Sequence, residues 1–163
     1  MPALVLSGCV AAGLFVAAAV LPSRIASARK LPPTINVWLL DEPWKYRPAS
    51  AYSVLGTFGA VGRDIAVKLH VTLDAALPPA YGFFLANLSA WAWGTGRGSE
   101  LSVVPLLAVL ADYSENTAIV LMVRQFASQP RVLAILAWWS SLAKWILILV
   151  SVALTAYRLV TRR

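Results

Sequence analysis

The sequence predicts an all-α fold, a bundle of four transmembrane helices, and three observations carry that expectation. The chain of 163 residues is 60% hydrophobic with a mean hydropathy of +0.72. Only 13% of its residues are charged, where a soluble domain carries about a quarter. Four charged side chains, Asp74, Asp112, Glu115 and Lys144, sit inside the apolar runs themselves. A lone carboxylate or ammonium at bilayer depth costs several kcal/mol, so these groups are expected to face one another inside a bundle.

The first apolar run, 3–21, is closed by Pro22. At 1.5 Å per residue it reaches about 28 Å, enough for a thin bilayer. Its small residues Gly8, Ala12, Gly13 and Ala17 suit close helix packing. Cys9 is the one cysteine, so no disulfide forms within the chain. The Leu6-Ser7-Gly8-Cys9 stretch resembles a lipidation box but has no signal region ahead of it. Ala26-Ser27-Ala28 resembles a signal-peptidase site. The run before it is too long and lacks a basic lead, so an uncleaved first helix is expected.

Residues 22–62 read as an interfacial segment. Pro22, Pro32, Pro33, Pro43 and Pro48 break regular structure, and Arg24, Arg29, Lys30, Lys45 and Arg47 make it basic. Residues 35–40 are too short to span and are expected along the interface with Trp38, Trp44 and Tyr46. Ser50 is placed to cap a short helix over 51–62. The second span is expected over 65–93, kinked at Pro78-Pro79, with Ala86, Ala90 and Gly94 as a close-packing row. A tight polar loop follows at 94–98. The third span covers 101–123 and the fourth 132–157, joined by a turn containing Pro130. Lys and Arg are densest in 22–63 and 124–131, which places both termini outside by the positive-inside rule, although Arg158, Arg162 and Arg163 oppose it.

Asp112, Glu115 and Asn116 are spaced i, i+3, i+4 and share one helix face. Ala137, Ser141, Lys144, Ile148, Ser151 and Thr155 form a small and polar stripe on the fourth span. Arg63, His70 and Asp74 share a face of the second. Asp112 and Lys144 lie near the midpoints of their runs and are the expected ion pair. Arg63 is placed to reach Asp74 or Glu115, and Tyr81 and Tyr113 to donate hydrogen bonds into the network. The favoured role of this network is to fix helix register. A proton or ion relay, or a polar pocket for an amphiphile, is the sharper alternative.

Other chemistries find little support. There is no Gly-x-Ser-x-Gly, phosphate loop or dinucleotide fingerprint, and no cofactor is expected. One histidine and no repeated Glu-x-x-His disfavour a metal centre. The net charge of +7 comes without a basic stripe interleaved with aromatics, which disfavours nucleic acid. Gly59, Gly62 and Arg63, then Asp74, Pro78 and Tyr81, then Asp112, Glu115 and Asn116, then Lys144 make a Gly-x-x-Gly-Arg, Asp-x-x-x-Pro-x-x-Tyr, Asp-x-x-Glu-Asn, Lys order. In that order the chain resembles a group of small, functionally uncharacterised four-helix membrane proteins. The resemblance implies a four-helix fold with a shared polar centre and supplies no reaction.

The function expected first is a non-catalytic accessory subunit of a larger membrane complex, respiratory or photosynthetic. Its partners would be other subunits and the bilayer, with anionic lipids at the basic loops. The mitochondrial inner membrane is the favoured location and a bacterial inner membrane the alternative. The rival expectation is a small proton- or ion-coupled transporter, or a membrane-embedded enzyme, acting on a lipid-like substrate. A cavity beside the polar network would favour the rival, and a dry, fully paired cluster the scaffold.

Overall fold

Hydropathy of this strength leaves the backbone to satisfy its own hydrogen bonds, and a helix does so within one segment. The computed structural model describes residues 2–28 and 39–161, and among these every regular element is helical. The α-helices are α1 (Pro2–Ala28), α2 (Ala51–Thr57), α3 (Gly59–Val71), α4 (Leu73–Trp93), α5 (Thr95–Leu101), α6 (Val103–Arg124) and α7 (Arg131–Thr161). Short 3₁₀ turns lie at Leu39–Asp41 and Pro48–Ser50. Among the described residues, three helices are long and apolar enough to cross a membrane: the Pro2–Leu21 part of α1, α6 and α7.

Several boundaries differ from expectation. Pro22 does not end the first helix, which runs on to Ala28. One missing N–H costs a single hydrogen bond and leaves the other turns intact. The stretch expected as one span over 65–93 is broken, and the break lies at Thr72 rather than at Pro78-Pro79. Thr72 leaves helical geometry at φ −116° and ψ −85°. Its hydroxyl donates to the Lys68 carbonyl at 2.6 Å, the local side-chain bond that competes with helix continuation. The two prolines are carried inside α4.

The polar loop expected at 94–98 is largely helical, because α5 starts at Thr95 after Gly94 turns the chain at φ +84°. Consequently α6 begins at Val103 rather than 101. The helix expected over 51–62 divides at Gly59, whose φ of +61° suits glycine. Ser50 makes no side-chain cap on α2; its hydroxyl instead donates to the Arg47 carbonyl at 3.0 Å. Of the stretch expected along the interface, 35–38 lies outside the described residues, and Leu40 is buried in the core.

Packing is tight where small residues stand. A Cβ on Gly82 would lie 2.3 Å from Val109 Cγ2, so α4 and α6 cross closely there. A Cβ on Gly98 would lie 2.6 Å from Ala90 Cα, which lets α5 fold back onto the small-residue row of α4. Gly8 faces the Phe84 ring, where an added Cβ would come within 3.1 Å, so α1 rests on α4. The main apolar core gathers Leu40, Leu55, Phe58, Ile65, Leu69, Ile119 and Met122 at one end of the bundle. A smaller one, around Tyr81, Leu85 and Ala108, fills the α4–α6 contact.

Candidate functional site

The stripe expected on α7 is the face that turns inward: Ala137, Ser141, Lys144, Ser151 and Thr155 are all buried. Lys144 stands near its middle. Its ammonium meets Glu115 Oε2 at 2.6 Å and Asp112 Oδ1 at 3.5 Å, and donates a close hydrogen bond to Asp41 Oδ1. The expected Asp112–Lys144 pair is present, at a longer distance than the Glu115 contact. The ammonium thus donates hydrogen bonds to Asp41 and Asp112 and forms an ion pair with Glu115, whose oxygens accept no hydrogen bond among the described residues. Oxygens of Asp41, Asp112 and Glu115 lie within 4.8 Å of one another, a spacing that would suit a metal ion. The Lys144 ammonium contacts all three, so an ion would have to displace it.

Asp41 was not legible as a site residue. It belongs to the segment expected along the interface, yet it docks beside the middle of α7. Ser141 Oγ and Trp145 Nε1 donate to its carbonyl at 3.2 and 3.1 Å. Ser141, Lys144 and Trp145 follow i, i+3, i+4 on α7, so one helix face holds both ends of this residue. Trp138 extends the clamp by donating to the carbonyls of Pro43 at 2.8 Å and Tyr46 at 3.2 Å. The available signal was that Asp41 and Glu42 are the one acidic pair in a basic stretch. Tyr46 is buried in the same segment. Burial, with Glu115 and Asp41 nearby, pushes its hydroxyl pKa up, so it stays a neutral O–H.

A second cluster joins α3, α4 and α6. His70 Nδ1 lies 2.8 Å from Asp74 Oδ2 and 3.1 Å from Asn116 Oδ1, all buried. An ionised Asp74 only accepts, which puts a proton on Nδ1. The break at Thr72 places Asp74 in the first turn of α4, where free backbone N–H groups favour a carboxylate. Tyr81 joins the Lys144 cluster, donating to Asp112 Oδ2 at 2.9 Å and lying 3.2 Å from the Ala108 carbonyl. Tyr113 does not join them; it is exposed and donates to the Ala75 carbonyl at 2.9 Å.

Arg63 also stands apart, contrary to expectation. Its guanidinium lies 3.4 Å from the Leu55 carbonyl and 4.0 Å from the centre of the Phe126 ring. The chain bend at Gly59 folds α2 back within reach of that guanidinium. A neutral carbonyl and a ring face are cheaper partners for a half-buried cation than a journey to the bundle centre. Of the expected site residues, His70, Asp74, Asp112, Glu115, Asn116 and Lys144 come together, and Arg63 does not.

Beside this polar centre lies a cleft of about 410 Å³. Gly8, Ala11, Ala12 and Phe15 of α1 form one wall, Leu77, Tyr81, Phe84 and Leu85 of α4 another, and Trp145 and Ile148 of α7 the third. Asp41, Asp74, Asp112 and Lys144 supply its polar groups. Phe15, 49% exposed, carries the α1 wall out to the bundle surface. The volume lies in the range of about 300–1,000 Å³ usual for ligand pockets. The chain matches no family model, no curated protein and no solved structure.

Proposed function

We propose that the chain is an integral membrane protein that binds an amphiphile, its apolar chain in the cleft between α1, α4 and α7 and its polar head at Asp41, Asp74, Asp112 and Lys144. In this reading α3 and α4 together make a fourth crossing beside α1, α6 and α7. The observation that carries it is the pairing of an apolar cleft with buried charge in one cavity. Ligand pockets combine apolar walls with a few convergent polar groups, and ionisable residues at bilayer depth mark functional centres. Binding requires no catalytic residue, and the same site would serve a carrier, an enzyme or a lipid-dependent subunit.

The test is to purify the protein in mild detergent and measure what leaves with it by native mass spectrometry. One amphiphile per chain is expected on the wild type. Ala11→Trp fills the cleft from α1, and this variant should retain its helicity and lose the adduct at least tenfold. A wild type that carries only detergent, and takes up no long-chain amphiphile when challenged, overturns the proposal.

The satisfied ammonium of Lys144 supports a second reading, a purely structural accessory subunit of a larger complex. That reading requires co-migration with other chains in mild detergent and an empty cleft. Migration as a lone 17.5 kDa species would count against it.

A further inference from the structure

The charges at the head of the cleft do not balance. Four carboxylates, Asp41, Asp74, Asp112 and Glu115, are gathered around two groups that can be cationic, Lys144 and His70. Counted with every group ionised, His70 included, the described cluster holds two more negative than positive groups. The other nearby cations are engaged elsewhere: Arg63 over Phe126, and Lys68 with Asp64 at 2.7 Å. Excess charge of one sign in a low-dielectric site is costly unless protons or a counter-charge neutralise it.

Asp74 is 5% exposed and lines the cleft. Its Oδ2 is engaged by His70 Nδ1 at 2.8 Å, and among the described residues no donor reaches its Oδ1. Asp112, by contrast, has Tyr81 on one oxygen and Lys144 on the other. Asp41 lines the cleft too, and Lys144 engages its Oδ1. The cleft therefore presents carboxylate oxygens of Asp74 and Asp41 to whatever lies in it, where acidic groups outnumber basic ones, at the end of apolar walls.

We infer that the occupant is an amphiphile with a protonated amine head, whose ammonium is held by Asp74 beside Asp41 and Asp112. This rests on the amphiphile-binding reading and adds the class of head group. An ammonium carries three N–H donors and the missing positive charge. A carboxylate or phosphate head would meet the same surplus as repulsion, and a neutral alcohol would supply a donor without the charge.

The experiment is a competition on delipidated full-length protein at neutral pH in mild detergent. The probes are a primary amine, an alcohol and a carboxylate of the same twelve-carbon chain, chosen here as about the length of a single short tail, with bound mass read by native mass spectrometry. The amine is expected to bind at least tenfold more tightly than the alcohol and the carboxylate least. Asp74→Asn keeps an oxygen acceptor for His70 and should bring the amine within about threefold of the alcohol. Equal binding of all three probes, or preference for the carboxylate, overturns the amine assignment and leaves the cleft reading standing. Uptake of none of them by wild-type protein overturns both.

Discussion

The Tyr113 hydroxyl on α6 donates to the Ala75 carbonyl on α4 at 2.9 Å. That carbonyl is the one an N–H at position 79 would take in a regular helix, and Pro79 has none. A side chain from the neighbouring helix thus takes the acceptor that the proline leaves open, and α4 carries Pro78 and Pro79 without ending. Tyr113→Phe should destabilise the bundle by about 1 kcal/mol, the net worth of one hydrogen bond. In a Pro79→Ala background the backbone N–H is restored, and the same change should cost close to nothing. Reversible unfolding in mixed micelles, run as a double-mutant cycle, reads the difference. An equal loss in both backgrounds would show that Tyr113 acts through packing instead.

Lys144→Met removes the cation shared by Asp41, Asp112 and Glu115. Leaving buried carboxylates uncompensated should cost about 3–5 kcal/mol. Adding Glu115→Gln to Lys144→Met removes one stranded charge and should recover part of that loss. The pair of unfolding curves checks this. A single variant of wild-type stability would mean that the carboxylates are already neutral.

Gly98 and Gly82 should differ in how replacement by alanine is tolerated. The new Cβ at 98 meets backbone, Ala90 Cα at 2.6 Å and the Ser89 carbonyl oxygen at 3.1 Å, which cannot turn away. At 82 it meets Val109 Cγ2, the end of a side chain. Gly98→Ala should therefore cost about 1–3 kcal/mol. Gly82→Ala should be substantially rescued by Val109→Ala, and Gly98→Ala should not. Melting temperatures of the variants in one detergent decide the comparison.

Trp138 holds the segment after Asp41 by its single indole N–H. Trp138→Phe keeps the ring and removes the bonds to the Pro43 and Tyr46 carbonyls. Tryptic cleavage after the exposed Lys45 should then quicken several-fold, while the helices remain protected. Limited proteolysis followed by intact-mass measurement gives the rates, and an unchanged rate would assign the anchoring to Asp41 alone.

Much of the site was legible because helical spacing and hydropathy speak directly to it. Asp112, Glu115 and Asn116 had to share a face, and the inward stripe of α7 follows from steps of three and four. What escaped depends on local backbone choices and on distant chain. The Thr72 break rests on one hydroxyl–carbonyl bond that hydropathy does not register. The fold-back of α5 needs the Gly98–Ala90 approach. Asp41 escaped because a short apolar stretch among prolines carries no period, and only α7, far along the chain, gives it a place. The cleft exists because Gly8 sets α1 against Phe84 of α4, and no pattern within α1 states that preference.

The contact between Asp41 and Lys144 also orders events during synthesis. The two residues are 103 positions apart, so the carboxylate is made long before its cation. If α7 crosses the membrane as proposed, it carries an ammonium into hydrocarbon after the carboxylates of Asp41, Asp112 and Glu115 have been made. In that reading the entry of α7 is conditional on the arrangement of the segments before it, and a misassembled chain would leave α7 with an unneutralised charge.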